Sequence, residues 1–163
     1  MGDYYTEQLI KKVVSIKDIM IKAGLITATA LVLLVALMAP IFGALFIVMI
    51  VLDVILFRRL NNVEYEYLYV NGELDIDKII NKAKRKRMFS MNISDLEIIV
   101  PSGSADLNSY KNTKILNFSS MRRKSKTYEM ILIKGGEKLR VIFEPNQAIL
   151  EGMRMLAPRK VKI

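Results

Sequence analysis

Two dense groups of basic side chains are the residues of this chain best suited to hold a ligand. Lysines and arginines attract anionic lipid headgroups, and each one near a charged leaflet contributes about 1 kcal/mol. Because side chains alternate along a strand, only half of the first group can share a face. Solvated loop charge, and contact with a protein or nucleic acid, are the alternative interpretations. The residues assigned to lipid or partner contact are Lys84, Arg85, Lys86, Arg87, Arg122, Arg123 and Lys124.

Four acidic residues, Glu64, Glu66, Asp75 and Asp77, form a second constellation that could bind a metal or perform acid-base chemistry. The same alternation is typical of the solvated outer face of a hairpin, and we favour that interpretation. The chain has neither histidine nor cysteine, so it lacks the commonest general base and the best zinc ligands. We therefore expect no enzymatic activity, no catalytic residue, no metal and no cofactor.

The charge of the chain is concentrated in its second part. The net charge is +9, and after residue 57 there are 21 basic against 12 acidic side chains. A basic surface indicates an anionic neighbour, either a lipid surface or a polyanion, although cytoplasmic segments of membrane proteins carry the same bias. Nucleic acid is not the expected partner, because the basic groups lack a glycine-aromatic RNA-binding signature.

Residues 23–57 are predominantly apolar, and Asp53 is their only ionisable residue. One straight helix of this length would measure about 50 Å, whereas the hydrocarbon core of a bilayer is about 30 Å thick. Pro40 and Gly43 favour a reversal between two shorter helices. The stretch therefore predicts a transmembrane helical hairpin over residues 23–60, and a single kinked span is the rival topology.

The flanks of this segment predict its orientation. Lys11, Lys12, Lys17 and Lys22 precede it, basic residues follow it, and the connecting turn carries no charge. The positive-inside rule then places both termini in the cytoplasm, in a multi-pass protein of the cell membrane.

Asp53 is a candidate for an intramembrane polar contact. An ionised carboxylate near the bilayer centre costs about 2.5 to 3.5 kcal/mol. Asp53 lies five residues before Arg58, so we favour an ion-paired or boundary position over a role in an ion pathway.

The segment before the hairpin has helical spacing. Tyr5, Leu9, Val13, Ile16 and Met20 recur at steps of three and four residues. This spacing predicts an amphipathic helix over residues 1–22 that lies along the membrane surface. Packing of the same helix against the soluble domain is the alternative.

After residue 60 the pattern changes to strand spacing. Residues 63–70 and 73–80 alternate around Asn71-Gly72, a pair that suits a two-residue hairpin turn. A second hairpin is predicted around Gly135-Gly136, and an amphipathic helix begins at Pro145. The strands of the second hairpin cover residues 128–133 and 138–143, further strands are predicted over residues 85–93 and 114–118, and residues 98–101 form an apolar run after a predicted cap or turn.

Residues 5–12 and 62–79, with the basic run 82–87 that follows, resemble a family of small membrane proteins of Gram-positive anaerobic bacteria. That family is classified as a domain of unknown function. Residues from 62 onward are also similar in strand order to bacterial pleckstrin-homology (PH) domains. The resemblance implies an architecture and adds no catalytic residue.

The predicted fold class is an α+β membrane protein. An amphipathic helix (1–22) and a transmembrane hairpin (23–60) precede a cytoplasmic, antiparallel PH-like β-barrel or sandwich with a C-terminal helix (61–163). The predicted function is a non-enzymatic, membrane-anchored interaction or scaffold module that binds a protein partner or the anionic inner leaflet. The alternative is a small accessory subunit of a membrane transport or enzyme complex. The expected partners are the lipid bilayer and either another protein or further copies of the chain.

Overall fold

The computed structural model describes residues 4–61, 63–110 and 113–163, and the side chains of residues 59–61 are outside that description. Three short 3-10 turns, Pro40–Phe42, Ile93–Asp95 and Ala105–Tyr110, connect longer elements. In chain order these elements are β1 Tyr5–Lys11, α1 Ile16–Met38, α2 Gly43–Asn61, β2 Val63–Val70, β3 Glu73–Ile80, β4 Lys84–Asn92, β5 Leu96–Pro101, β6 Lys114–Asn117, β7 Tyr128–Lys134, β8 Glu137–Phe143 and α3 Gln147–Leu156.

The apolar stretch forms the predicted pair of helices. Segments Ile16–Met38 and Pro40–Arg58, with mean hydropathies of 2.2 and 2.7, are long and apolar enough to cross a membrane, and none of their residues is buried. At the start of α1, the Ser15 amide donates to Asp18 Oδ2 at 3.0 Å, which satisfies one end of a capping box. By length and composition they are therefore candidates for spanning a bilayer.

The reversal between the helices occurs where proline was predicted to place it. Ala39 adopts an extended conformation (φ −137°), as expected for a residue that precedes proline. Gly43, in contrast, has an ordinary right-handed helical φ of −61°. The reversal therefore depends on Ala39 and Pro40, and the conformational freedom attributed to Gly43 is not used.

The first sheet has the order β1-β2-β3-β4, with every neighbour antiparallel. The edge strand β1 differs from the sequence prediction. Tyr5–Lys11 is a strand that pairs with β2 from Tyr5↔Val70 to Lys11↔Glu64. The predicted helix over residues 1–22 is thus wrong for this segment, and residues 1–3 lie outside the described part. Helical structure begins at Ile16.

The Asn-Gly turn between β2 and β3 is confirmed. Asn71 and Gly72 have φ values of +47° and +96°, the positive angles that a tight hairpin turn requires. Gly72 is also packed, since an added Cβ would lie 2.9 Å from Leu156 Cδ1. This turn therefore meets α3, at the end of the sheet opposite to the apolar helices.

The second sheet has the order β5-β7-β8-β6. Strand β6 pairs with β8 in parallel, which corrects the expectation of an entirely antiparallel domain. Strands β7 and β8 form the predicted hairpin around Gly135-Gly136. The two sheets remain separate in the described residues, so of the two predicted forms, a barrel or a sandwich, the structure has the sandwich and no closed barrel.

Side chains bridge the sheets where strand pairing stops. The side chain of Gln8 on β1 donates from Nε2 to the main-chain carbonyl of Glu144 at 2.8 Å, and its Oε1 accepts from the main-chain amide of Asn146 at 2.6 Å. One side chain thus supplies the two hydrogen bonds that a neighbouring strand would have made.

The core lies between the sheets and beneath α3. Tyr67 and Tyr69 of β2 are fully buried with Phe143 of β8. Asn146 caps α3 by accepting from the Ile149 amide at 2.9 Å. Ile149 and Met153 of this helix are also fully buried, so the predicted C-terminal helix is confirmed and covers one end of the sandwich.

Candidate functional site

The end of the first sheet that joins the apolar helices gathers the candidate residues. We call it the helix-proximal end and define it by the last rung of the sheet, where Val63 pairs with Ile80 and Ile80 pairs with Lys84. The Lys12 amide donates to the Val63 carbonyl at 3.0 Å. The chain therefore enters α1 and leaves α2 at the same end of the sheet.

The second basic group reaches this end through a loop. The Val13 amide donates to the Ser120 carbonyl at 2.8 Å, which ties residues 119–127, here called the basic loop, to the segment before α1. Arg122, Arg123 and Lys124 follow Ser120 closely, and all three are exposed. Two groups that are distant in sequence thus lie toward the same end of the fold, the first in β4 and the second beside the segment before α1.

The first basic group divides between the two faces of β4, as strand alternation predicts. Arg85 and Arg87 share a face with three acidic residues: Arg85 Nη2 lies 2.6 Å from Glu66 Oε1, and Arg87 Nη2 lies 2.8 Å from Asp75 Oδ2 and Nε 3.5 Å from Asp77 Oδ1. These two arginines are therefore engaged in ion pairs within the sheet.

The acidic constellation is not the solvated face that the sequence suggested. Glu64, Glu66 and Asp77 are all buried. Arg85 and Arg87 lie over Glu66 and Asp77, and a register shift after Ile76 aligns the arginines with these carboxylates. Burial raises the pKa of Glu66 above its ordinary value of 4.5, although Arg85 lowers it and Glu7 raises it further. On this face of the first sheet, arginine side chains cover the carboxylates and form ion pairs with them.

The remaining basic residues have no acidic partner. Within the described residues, Lys84, Lys86, Arg122, Arg123 and Lys124 form no ion pair, and neither do Lys11 and Lys12, which the sequence analysis did not assign to this site. Lys11 is the last residue of β1, and its position near this site follows only from the pairing of β1 with β2, which the sequence analysis did not predict. The helix-proximal end is consequently rich in unpaired positive charge.

Asp53 lies between the two apolar helices and contacts neither Arg58 nor another cation of the described part. Thr29 Oγ1 of α1 donates to Asp53 Oδ2 at 2.7 Å. The other carboxylate oxygen, Oδ1, is buried without a hydrogen-bond partner in the described residues. The hydrogen bond of Asp53 in the described residues is thus with a hydroxyl, and the ion-paired or boundary position favoured from the sequence stays a prediction.

A groove of about 420 Å³ runs along α3 and is bordered on one side by Lys126, at the end of the basic loop. Lys126, Arg154 and Glu151 contribute its charged lining. No group of three or more acidic residues in the described part could hold a metal ion. The expectation that the protein needs no cofactor stays a prediction.

Comparison with models of protein families identifies the family of this chain. The profile of the family described as Bacterial PH-like domain (DUF6106) matches residues 2–163. The chain belongs to this family. The match confirms the resemblance stated from the sequence, and the matched residues include β1 and both apolar helices. Neither curated proteins nor solved structures gave a match to the chain.

In this PH-like domain the two ends of the sandwich differ. One end is closed by α3 against the Asn71-Gly72 turn. The opposite, helix-proximal end carries the unpaired lysines and arginines and the start of α1. Charge and apolar surface are thus adjacent at one end of the molecule.

Proposed function

We propose that the protein is a non-enzymatic, membrane-anchored interaction module. Helices α1 and α2 cross the cell membrane as a hairpin, both termini lie in the cytoplasm, and the helix-proximal end of the PH-like domain rests on the anionic inner leaflet. The observation that carries the proposal is the pairing of β1 with β2.

This pairing supports a hairpin topology. Strand β1 precedes α1 and β2 follows α2 directly, and the two are hydrogen-bonded along seven residue pairs. A chain that crossed the bilayer once between these strands would put them on opposite sides. The intact sheet is therefore compatible with two crossings and favours them over a single kinked span.

The charges support contact with an anionic surface. Seven unpaired basic residues lie in β1, the segment after it, β4 and the basic loop, and each near such a leaflet would contribute about 1 kcal/mol. Salt would weaken the attraction, since the Debye length is about 8 Å at physiological ionic strength. The absence of histidine and cysteine from the sequence argues for binding in preference to catalysis.

The topology can be tested with single cysteines, because the chain has none of its own. Tyr5→Cys reports on β1, Ile41→Cys on the turn between the helices, and Ser104→Cys on the second sheet's side of the domain. Tyr5 and Ile41 are both more than half exposed. A membrane-impermeant maleimide should label positions 5 and 104 in inverted vesicles and position 41 in right-side-out vesicles. Labelling of positions 5 and 104 from opposite sides would overturn the proposal.

The lipid contact needs a separate measurement on the full chain. In nanodiscs, amide exchange of the basic loop should slow when phosphatidylglycerol is added to phosphatidylcholine, and the effect should fade at high salt. The variant Arg122→Glu/Arg123→Glu should lose this protection, whereas Arg154→Glu/Arg159→Glu, at exposed positions on the α3 side, should keep it. Equal exchange in both lipids would remove the leaflet as the partner and leave a protein partner.

One observation favours the second candidate function, an accessory subunit of a membrane transport or enzyme complex. Asp53 Oδ1 has no hydrogen-bond partner in the described residues, and a donor on another membrane protein would satisfy it. Affinity purification in mild detergent distinguishes the candidates: a stoichiometric membrane partner that Asp53→Leu removes supports the subunit, and a monomer or homo-oligomer supports the module.

A further inference from the structure

Met121 combines exposure with an unusual backbone conformation. Its side chain is 49% exposed, and its φ of +61° lies in the left-handed region. Glycine and asparagine occupy this region readily, whereas a residue with a longer side chain is uncommon there and costs free energy. An exposed apolar side chain at such a position is a reason to look for its function.

The conformation is held by a hydrogen-bond network around Ser120. The Ser120 amide and hydroxyl donate to Glu144 Oε1 at 2.9 and 2.7 Å, and the Arg122 amide donates to Ser120 Oγ at 3.2 Å. These contacts fix the residues on both sides of Met121. The loop thus presents the methionine in one place.

The position of Met121 is set relative to α1. The Ser120 carbonyl accepts from Val13, and Val13 and Ile16, at the start of the apolar segment, are both exposed. On the other side, Met121 is followed by the exposed and unpaired Arg122, Arg123 and Lys124. An apolar tip beside cations matches a bilayer surface, where acyl chains lie just beneath anionic headgroups.

We propose that Met121 inserts into the inner leaflet, between headgroups held by Arg122, Arg123 and Lys124. This inference rests on the proposed function, because it requires the helix-proximal end to face the membrane. The partner is the anionic lipid surface itself. The basic loop thereby adds a third contact with the bilayer beside the two helices.

Insertion is measurable with an environment-sensitive fluorophore on Met121→Cys in the full chain, reconstituted in phosphatidylcholine with phosphatidylglycerol. The matched control is Met155→Cys, on the exposed surface of α3 at 65% exposure. The probe at position 121 should show blue-shifted emission and quenching by lipid with a nitroxide high on its acyl chain, and the probe at position 155 should show neither. Aqueous emission at both positions, or equal quenching at both, would overturn the inference.

A second variant separates insertion from folding. Met121→Asn suits the left-handed region better, so its thermal midpoint in detergent should equal or exceed that of the wild type, while amide exchange of the basic loop in anionic nanodiscs should accelerate. Unchanged exchange would count against insertion. If positions 5 and 104 still label from one side, only the role of Met121 fails; if they label from opposite sides, the proposed function fails too.

Discussion

The hydroxyl of Tyr67 donates a 2.8 Å hydrogen bond to the main-chain carbonyl of Phe118, and so joins the two sheets at the centre of the core. The same oxygen accepts from the Glu144 amide at 3.1 Å. Burial raises the pKa of Tyr67 well above its ordinary value of 10, so the phenol stays neutral and keeps its donor at physiological pH.

Tyr67→Phe removes both hydrogen bonds and leaves a buried carbonyl and a partly buried amide without their partner. We expect the free energy of unfolding to fall by about 1 to 3 kcal/mol. Thermal unfolding of the detergent-solubilised chain, followed by circular dichroism, measures the change.

Tyr69→Phe is the matched control, two residues along the same strand. The Tyr69 hydroxyl is buried without a hydrogen-bond partner in the described residues, and burial together with the neighbouring Tyr4 raises its pKa to about 12. Its removal should leave stability unchanged or raise it. Equal losses for the two variants would contradict the role given to Tyr67.

Gly152→Ala should destabilise the closure of the sandwich by α3. An added Cβ would lie 2.6 Å from Tyr69 Cε1 and closer still to the Tyr4 ring, and overpacking of this kind costs about 1 to 3 kcal/mol. The melting temperature reports the loss. Gly24→Ala, also in a helix but with no atom within 4 Å of the added Cβ, should show no loss; a similar decrease in both would mean that crowding is not the cause.

Thr29→Val should loosen the apolar helix pair. The substitution is close in shape and removes the donor to Asp53 Oδ2, and such interhelical bonds in membranes are worth about 0.6 kcal/mol on average. Thr27→Val provides the comparison, since Thr27 bonds to the Ala23 carbonyl of its own helix. The two variants should differ in thermal midpoint in mild detergent, with Thr29→Val the lower; the reverse order would reject the Asp53 contact.

The raised pKa of Glu66 predicts how stability depends on pH. The folded state binds the proton of this carboxyl more tightly than the unfolded state, so its contribution is present below pH 4.5 and is lost as the pH rises through the folded-state pKa. Relative to Glu66→Gln, the wild type should therefore lose thermal stability as the pH increases from about 4. An increase over that range would mean that attraction to Arg85 outweighs burial.

Local patterns in the sequence predicted the elements that local physics determines. The continuous apolar run gave the helix pair, Asn71-Gly72 gave a hairpin with φ values of +47° and +96°, and the spacing after Pro145 gave α3. In each case the signal lies within a few neighbouring residues, so tertiary contacts were not needed to find it.

Strand β1 was missed because its partner is remote. Leu9, Val13 and Ile16 satisfy a helical period, and nothing near Tyr5 in the sequence announces that it will pair with Val70. Pairing between distant strands outweighs local preference. The parallel pairing of β6 with β8 escaped prediction for the same reason.

The sequence predicted which basic residues belong to the candidate site, but it did not predict how they are arranged in space. The sequence identified both basic groups, but their location toward the same end of the fold depends on the main-chain hydrogen bond between Val13 and Ser120. The engagement of Arg87 with Asp77 depends on the register shift after Ile76. Neither relationship can be obtained from spacing alone.

The pairing of β1 with β2 has a consequence for how the protein is made. Tyr5–Lys11 is synthesised before the apolar helices, yet its partner Val63–Val70 emerges only after both of them. The first strand must wait, unpaired, while the ribosome completes the intervening segment. Assembly of the sheet therefore depends on completion of the helical segment between its first two strands, and until then Tyr5–Lys11 keeps an unpaired edge that can template pairing with another chain.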